Sequence, residues 1–280
     1  MIRGNRFLSP YRLSRAFKFT IYLLLAWYIY LWFQVDFAAA AETFGGQVGW
    51  GNFVEAYAAT IDTLAWVILL LLFELETAVI PEEKLKGGLK WLLTGLSLVC
   101  YIFIVWSFYG YWVKFGMISS VLPFHVADIC SLAGGEWNVL ETLDEYPPLD
   151  LGNCAALQSQ QIFQVIGTDI LATAENHSLA QRLAVVDIVN AGAWLVVVVL
   201  LEIEVLLQMR RRLTDATMAA AAWIKGFFYL ALFGCAAYWG YDGTFLDFWD
   251  AFLWLVAFIL IELNIFQWHG DAAEEQPQGY

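Results

Sequence analysis

Charged side chains are scarce in this chain of 280 residues: Asp, Glu, Lys and Arg together make up 15% of it, whereas 61% of the residues are hydrophobic. A soluble domain usually carries about 25% charged and about 45–50% apolar residues. Histidine and cysteine are also rare, with three and four copies, which leaves little material for a metal centre. The few basic residues form no surface run suited to nucleic acid. These shortages exclude an ordinary soluble fold and indicate a membrane protein whose main partner is the lipid bilayer.

Six apolar runs are long enough to cross a bilayer, which takes roughly 20 residues. We number them as spans 1 to 6, and they lie near 18–37, 58–78, 90–113, 189–209, 219–241 and 249–268. Except for Lys114 and Arg182, every Lys and Arg lies near the N-terminus, the loop between spans 2 and 3 or the loop between spans 4 and 5. The positive-inside rule therefore predicts that both termini are cytoplasmic.

These runs divide the chain into five regions. We expect a basic cytoplasmic N-terminus at 1–17, spans 1 to 3 at 18–114, a periplasmic or extracellular insert at 115–188, spans 4 to 6 at 189–268 and a mobile cytoplasmic tail at 269–280.

Cys130 and Cys154 both fall in the insert, where an oxidising environment favours a disulfide worth about 3 kcal/mol. Ser178 with Gln181 fits a helix start, so the helix of span 4 should begin near Ser178 and pack against the insert. The expected fold is an all-α integral membrane protein with a disulfide-pinned insert.

An internal repeat links the even spans. In each, a tryptophan is followed eight residues later by a glutamate: Trp66 and Glu74, Trp194 and Glu202, Trp254 and Glu262. Each of these helices also carries an aspartate towards its outer end, namely Asp62, Asp187 and Asp250. The matches predict three helical hairpins, 1–2, 3–4 and 5–6, as parallel repeats around an axis along the membrane normal. The alternative is convergent use of interfacial Trp and snorkelling Glu in apolar helices.

The first glutamates of the motif, Glu74, Glu202 and Glu262, are predicted to lie within the hydrocarbon, where a charge costs about 3 kcal/mol. The positions two residues further on point to another helix face and are secondary candidates: Glu76, Glu204 and Asn264. Lysines near the starts of the odd spans are candidate partners: Lys18, Lys90 and Lys225. Three interpretations stay open. The glutamates meet at a common cation or proton site, they pair with these lysines and lock the hairpins together, or they face a partner protein.

The function that we favour is a small channel or carrier that moves protons or small cations along Glu74, Glu202 and Glu262. The alternative is a non-catalytic structural or assembly subunit of a larger membrane complex, or a homo-oligomer, because the helix surfaces are rich in Trp, Tyr and Phe. The sequence contains no nucleophile–base pair, phosphate loop or haem-ligand pattern. We therefore expect no enzymatic activity, no cofactor and no metal site.

Overall fold

The structure is a computed structural model that describes residues 10–43, 48–76, 80, 84, 86–209 and 214–274, without the side chains of 10–15, 205, 206, 208, 209, 215 and 260–274. Helices dominate these residues. They are α1 Pro10–Thr43, α2 Phe53–Ala56, α3 Ala58–Glu74, α4 Gly88–Ser119, α5 Cys154–Leu157, α6 Ala174–Met209, α7 Asp215–Asp242 and α8 Phe245–Glu274. Each predicted span overlaps one of the six long helices.

Four helices among the described residues are long and apolar enough to cross a membrane: Ala16–Thr43, Gly88–Ser119, Ala174–Glu204 and Ala216–Asp242. They belong to α1, α4, α6 and α7. α3 has 17 residues, which gives about 25 Å of helix against a hydrocarbon core of about 30 Å. The chain is therefore a mostly helical membrane protein, while the two further spans, the threefold repeat and the sidedness of the termini stay predictions.

The six long helices form a closed ring. Each packs against its two neighbours in the order α1, α3, α4, α6, α7, α8 and back to α1. One buried cluster fills the interior, and every long helix contributes to it, with members that include Leu25, Trp66, Ile104, Val197, Leu232 and Ala257. Because lipid chains are as apolar as these residues, close packing rather than exclusion of water holds the ring together.

The insert contains a four-stranded sheet, so the expectation of an all-α fold is wrong for this region. Its strands are β1 Val121–Phe124, β2 Asn138–Val139, β3 Ile162–Val165 and β4 Ile170–Thr173, in the order β1-β3-β4-β2. β2 runs parallel to β4, and the other pairs are antiparallel. Strands of two to four residues are too short to show an alternating pattern, and Pro123 fits only because β1 is an edge strand.

A disulfide joins Cys130 to Cys154 with the Cα atoms 5.1 Å apart, which confirms the predicted pair. It ties a short 3-10 turn, Ile129–Leu132, to α5. Around it lies a small apolar core that belongs to the insert itself.

The insert packs against the first turns of α6, as predicted. Asn176 Nδ2 donates to Leu140 O at 2.9 Å, and Ala180 and Leu183 of α6 are buried against the sheet. The helix begins at Ala174 rather than near Ser178. The reason is that the hydroxyl of Thr173, the last residue of β4, accepts a hydrogen bond from Asn176 N at 3.1 Å and so caps the helix earlier.

Candidate functional site

The tryptophans of the repeated motif meet at the centre of the ring. Trp66 of α3, Trp194 of α6 and Trp254 of α8 all lie beside Phe258, with ring centroids 6.1, 4.4 and 6.3 Å from that of Phe258. Trp66 and Trp254 also make an edge-to-face pair at 6.4 Å. Such arrangements of aromatic rings are favourable beyond the area that they bury. These four residues form the aromatic floor of a cavity that lies between them and the insert.

The cavity has a volume of about 330 Å³ and is lined by all six long helices, α2 and the insert. Its walls are strongly acidic. The carboxylates that line it are Asp36, Glu55, Asp62, Asp144, Asp187, Asp247 and Asp250. Lys114 is the one basic side chain that the described residues place in its walls. An excess of one sign of charge inside low-dielectric walls concentrates ions of the opposite sign.

Lys114 of α4 pairs with Asp144 of the insert, and this ion pair closes part of the cavity roof. Beside it, the Tyr146 hydroxyl donates to Leu143 O. Burial raises the pKa of the Tyr146 phenol above its ordinary range, because the phenolate would lose its hydration. The roof therefore contains one neutral phenol and one compensated carboxylate.

Two other carboxylates have donors of their own. Asp36, which is 6% exposed, accepts from Thr60 N at 2.8 Å and from Thr60 Oγ1 at 2.6 Å, and so joins α1 to α3. Asp247 accepts from Thr244 N at 3.0 Å and from Thr244 Oγ1 at 2.8 Å at the start of α8. These hydrogen bonds fix where the carboxylates lie and stabilise their ionised form.

Asp62 and Asp250 are less fully satisfied. Asp62 accepts from Trp66 Nε1 at 3.1 Å and only distantly, at 3.5 Å, from Tyr111. Asp250 lies within hydrogen-bonding reach of the indole N–H groups of Trp32 and Trp254, but its buried Oδ1 atom makes no hydrogen bond of good geometry among the described residues. A buried oxygen of this kind is costly unless a donor reaches it.

The acidic cavity as a whole is not predicted by the sequence. Asp62 and Asp250 each lie four residues before a motif tryptophan, and the equivalent position in α6 is Asn190, which also lines the cavity. Asp187, which the sequence groups with Asp62 and Asp250 as outer aspartates, lies almost one turn earlier than this position. The spacing from Asp or Asn to Trp was the available signal. Nothing in the sequence signals that Asp36 and Lys114 converge on the same space.

Two of the predicted glutamates, Glu74 and Glu202, lie beyond the aromatic floor and have partners on neighbouring helices. Glu74 pairs with Lys18 of α1 at 2.5 Å, and both side chains are 16% exposed. Its other carboxylate oxygen lies 3.4 Å from the hydroxyl of Tyr22. Eight residues of helix put Glu74 about 12 Å from Trp66 along the axis.

Glu202 and the secondary residues follow the same pattern. Tyr101 of α4 donates to Glu202 at 2.7 Å, and Lys225 of α7 pairs with Glu204 at 2.8 Å. Glu76 interacts electrostatically with Glu202 and Lys90. The side chains of Glu262 and Asn264 lie outside the described residues. Contacts between adjacent helices thus account for Glu74 and Glu204, while a role for Glu74, Glu202 and Glu262 on an ion path stays a prediction.

Chemically, the acidic cavity is suited to hold a cation or a proton. Among the described residues, no three His, Cys, Asp or Glu side chains are placed to hold a metal ion, so the carboxylates surround a space rather than converge on one point. Comparison with protein-family models, curated proteins and solved structures finds no match for this chain.

Proposed function

We propose that the protein is a small membrane carrier for protons or cations, and that the cation binds in the acidic cavity. The observation that carries this proposal is the composition of the cavity walls, in which the described residues place seven carboxylates against one lysine. A buried carboxylate without a partner is unfavourable, and a bound cation or proton removes most of that penalty. A carrier is favoured over an open channel because Trp66, Trp194, Trp254 and Phe258 fill the space beneath the cavity.

The predicted glutamate path enters this proposal in revised form. Glu74 already has a cationic partner in Lys18, so we assign it to holding α1 against α3. Glu202 has a neutral partner in Tyr101, and its charge remains available to a cation that leaves the cavity. We therefore propose that the cation binds among Asp62, Asp187 and Asp250. After it leaves the cavity, it would interact with Glu202 and then with Glu262.

The test is flux into proteoliposomes that contain the purified full-length chain, followed with an internal pH-sensitive dye and with a potassium-sensitive dye. We expect Asp62→Asn and Asp250→Asn each to lower flux at least tenfold, because each removes one negative charge from the site. The matched control is Asp169→Asn, the same change at an exposed position of the insert, which should leave flux within twofold of the original. Unchanged flux in both cavity variants, with both folded, contradicts the proposal.

The alternative function is a non-catalytic subunit of a larger membrane complex. It draws on exposed aromatic side chains of α4 and α7, such as Trp91 at 78% and Trp223 at 82% exposure. Within a bilayer, lipid would cover such side chains. Purification in mild detergent followed by mass spectrometry separates the two functions: a stoichiometric set of partner proteins supports the subunit, and a chain that purifies alone or as a homo-oligomer supports the carrier.

A further inference from the structure

The acidic cavity is too large for a bare ion. Its volume of about 330 Å³ lies at the lower end of the range of about 300–1,000 Å³ that small-molecule sites occupy. A monovalent metal ion would leave most of that space to water, whereas an organic molecule of about ten heavy atoms would fill it, at the roughly 30 Å³ that one water molecule occupies. The size of the cavity therefore favours a small organic cargo.

The walls combine two features that recognise organic cations. The indole rings of five tryptophans line the cavity: Trp32, Trp66, Trp194, Trp239 and Trp254. Tryptophan is the side chain whose ring face attracts cations most strongly, and cages of aromatic rings are a common way to bind ammonium groups. Carboxylates between the rings supply the opposite charge. A divalent metal ion, in contrast, needs several oxygen ligands around one point, and the described residues provide no such cluster.

Two neighbouring polar atoms of the cavity walls are buried but poorly paired. Asp250 Oδ1 and the indole Nε1 of Trp32 make no hydrogen bond of good geometry among the described residues, although the two side chains lie within hydrogen-bonding reach of each other. Trp32 is 9% exposed and faces the Asp250 carboxylate. A buried donor and a buried acceptor that lie close together but are poorly aligned recover only part of the cost of their burial, and a ligand with an N–H donor and a small acceptor would pair with both in better geometry.

From the size, the indole walls and these two atoms, we infer that the acidic cavity binds a small organic ammonium ion, such as a protonated amino alcohol. The ammonium group lies against Asp250 and the tryptophan rings, and the acceptor takes the N–H of Trp32. This inference rests on the proposed role of the cavity as a cation site. The same chemistry is found in a free amine and in the headgroup of phosphatidylethanolamine, and the experiment distinguishes these two sources.

The experiment is isothermal titration of the full-length chain in nanodiscs of phosphatidylglycerol, with ethanolammonium chloride as the probe. We expect saturable binding that weakens at least tenfold in Asp250→Asn and stays within twofold in the exposed control Asp169→Asn. Sodium and calcium, titrated as competitors, should displace the probe only at concentrations at least tenfold higher. Absence of saturable binding, or displacement by sodium at an equal concentration, overturns the inference.

A second variant covers the case in which Asp250→Asn does not fold. Trp32→Phe keeps an aromatic ring and removes the N–H donor, so we expect it to weaken ethanolammonium binding about threefold or more. Propylammonium has the same length but no hydroxyl, and its affinity should change much less in this variant. Equal losses for both probes, or none for either, contradict the assigned pose and overturn the inference.

Two further measurements distinguish a free amine from a lipid headgroup as the ligand, and ligand binding from transport. In nanodiscs with added phosphatidylethanolamine, weaker binding of the free probe identifies the lipid headgroup as the natural occupant, and unchanged binding identifies a free amine; both results support ammonium recognition. Binding without flux in proteoliposomes refutes the carrier and leaves the ligand inference standing. Flux of protons or potassium without ammonium binding refutes the inference and leaves the carrier standing.

Discussion

Individual charged residues at the end of the bundle opposite the insert join neighbouring helices. Glu74 and Lys18 link α3 to α1, and Glu204 and Lys225 link α6 to α7. A lone charge in the hydrocarbon costs about 3 kcal/mol, so loss of one partner leaves the other uncompensated. Removal of both charges together avoids that penalty. The two pairs should therefore behave as stability elements.

A double-mutant cycle tests this role for Glu74 and Lys18. We expect Glu74→Gln and Lys18→Gln each to lower the free energy of unfolding by about 1–3 kcal/mol. The double variant should lose clearly less than the sum of the two. The measurement is unfolding in mixed micelles by titration with sodium dodecyl sulfate, with Glu136→Gln on the exposed insert as the control.

Flux distinguishes this stability role from a place on the ion path. If Glu74 only holds helices together, flux per folded molecule in Glu74→Gln should stay within twofold of the original protein. A loss of tenfold or more, with folding intact, would return Glu74 to the ion path that the sequence favours.

The residues of the candidate site were only partly predictable. The spacing between tryptophan and the polar residues of the even spans pointed to three helices that share an interior face, and the structure places Trp66, Trp194 and Trp254 together. The cost of placing a charge in the hydrocarbon favours the glutamates as site residues, because they lie within long apolar runs. Asp36 and Asp144 line the cavity because tertiary packing brings α1 and the insert to it. The spacing of residues along the sequence does not predict such packing.

At the scale of elements, the insert depends on its disulfide more than the helices depend on any one contact. Its strands are two to four residues long, and isolated strands of that length are marginal. The bond between Cys130 and Cys154 closes a separation of 24 residues and removes freedom from the unfolded insert, worth about 3 kcal/mol.

We expect Cys130→Ser with Cys154→Ser to speed amide exchange across residues 129–157 by at least tenfold, because the apolar core around the disulfide then opens more often. Hydrogen exchange followed by mass spectrometry measures this change. The matched control is Cys100→Ser with Cys235→Ser, two buried free cysteines outside the insert, which should leave exchange in 129–157 unaltered. Equal exchange in both double variants would contradict the assigned role.

Long elements were predictable from the sequence, and short ones were not. An apolar run of about 20 residues has few alternatives to a helix in a bilayer, so the six long helices follow the six runs. The strands of the insert lack such a signal, and pairing such as that of Asn138 with Ile170 is set by distant parts of the chain. The early start of α6 depends on Thr173, which caps the helix. That role cannot be predicted without knowing that β4 ends at Thr173.

For the whole molecule, the closed ring of six long helices makes a strong prediction about topology. If α3 and α8 also span the bilayer, both termini and the loop near Lys86 lie on one side and the insert on the other. Single cysteines at Lys86, Glu136 and Gly279, in a background without Cys100 and Cys235, report this arrangement with a membrane-impermeant maleimide. We expect labelling of intact cells at Glu136→Cys alone, and labelling at Gly279→Cys would contradict six spans.

The insert is attached to the bundle without slack at either end. α4 ends at Ser119 and β1 begins at Val121, and β4 ends at Thr173 where α6 begins at Ala174. α4 and α6 pack together, and His177 Nε2 of α6 lies 2.9 Å from Ile118 O of α4. The sheet and these two helices should therefore move as a single block, with the ion pair of Lys114 and Asp144 internal to it.

A hinged lid needs a flexible joint, and neither junction supplies one. We therefore expect the cavity to open by movement of α1 away from the block, since α7 is packed closely against α6 and joined to it by the ion pair of Lys225 and Glu204. The hydrogen bond from Asn138 of the insert to Glu42 of α1 crosses the seam along which the two parts would separate.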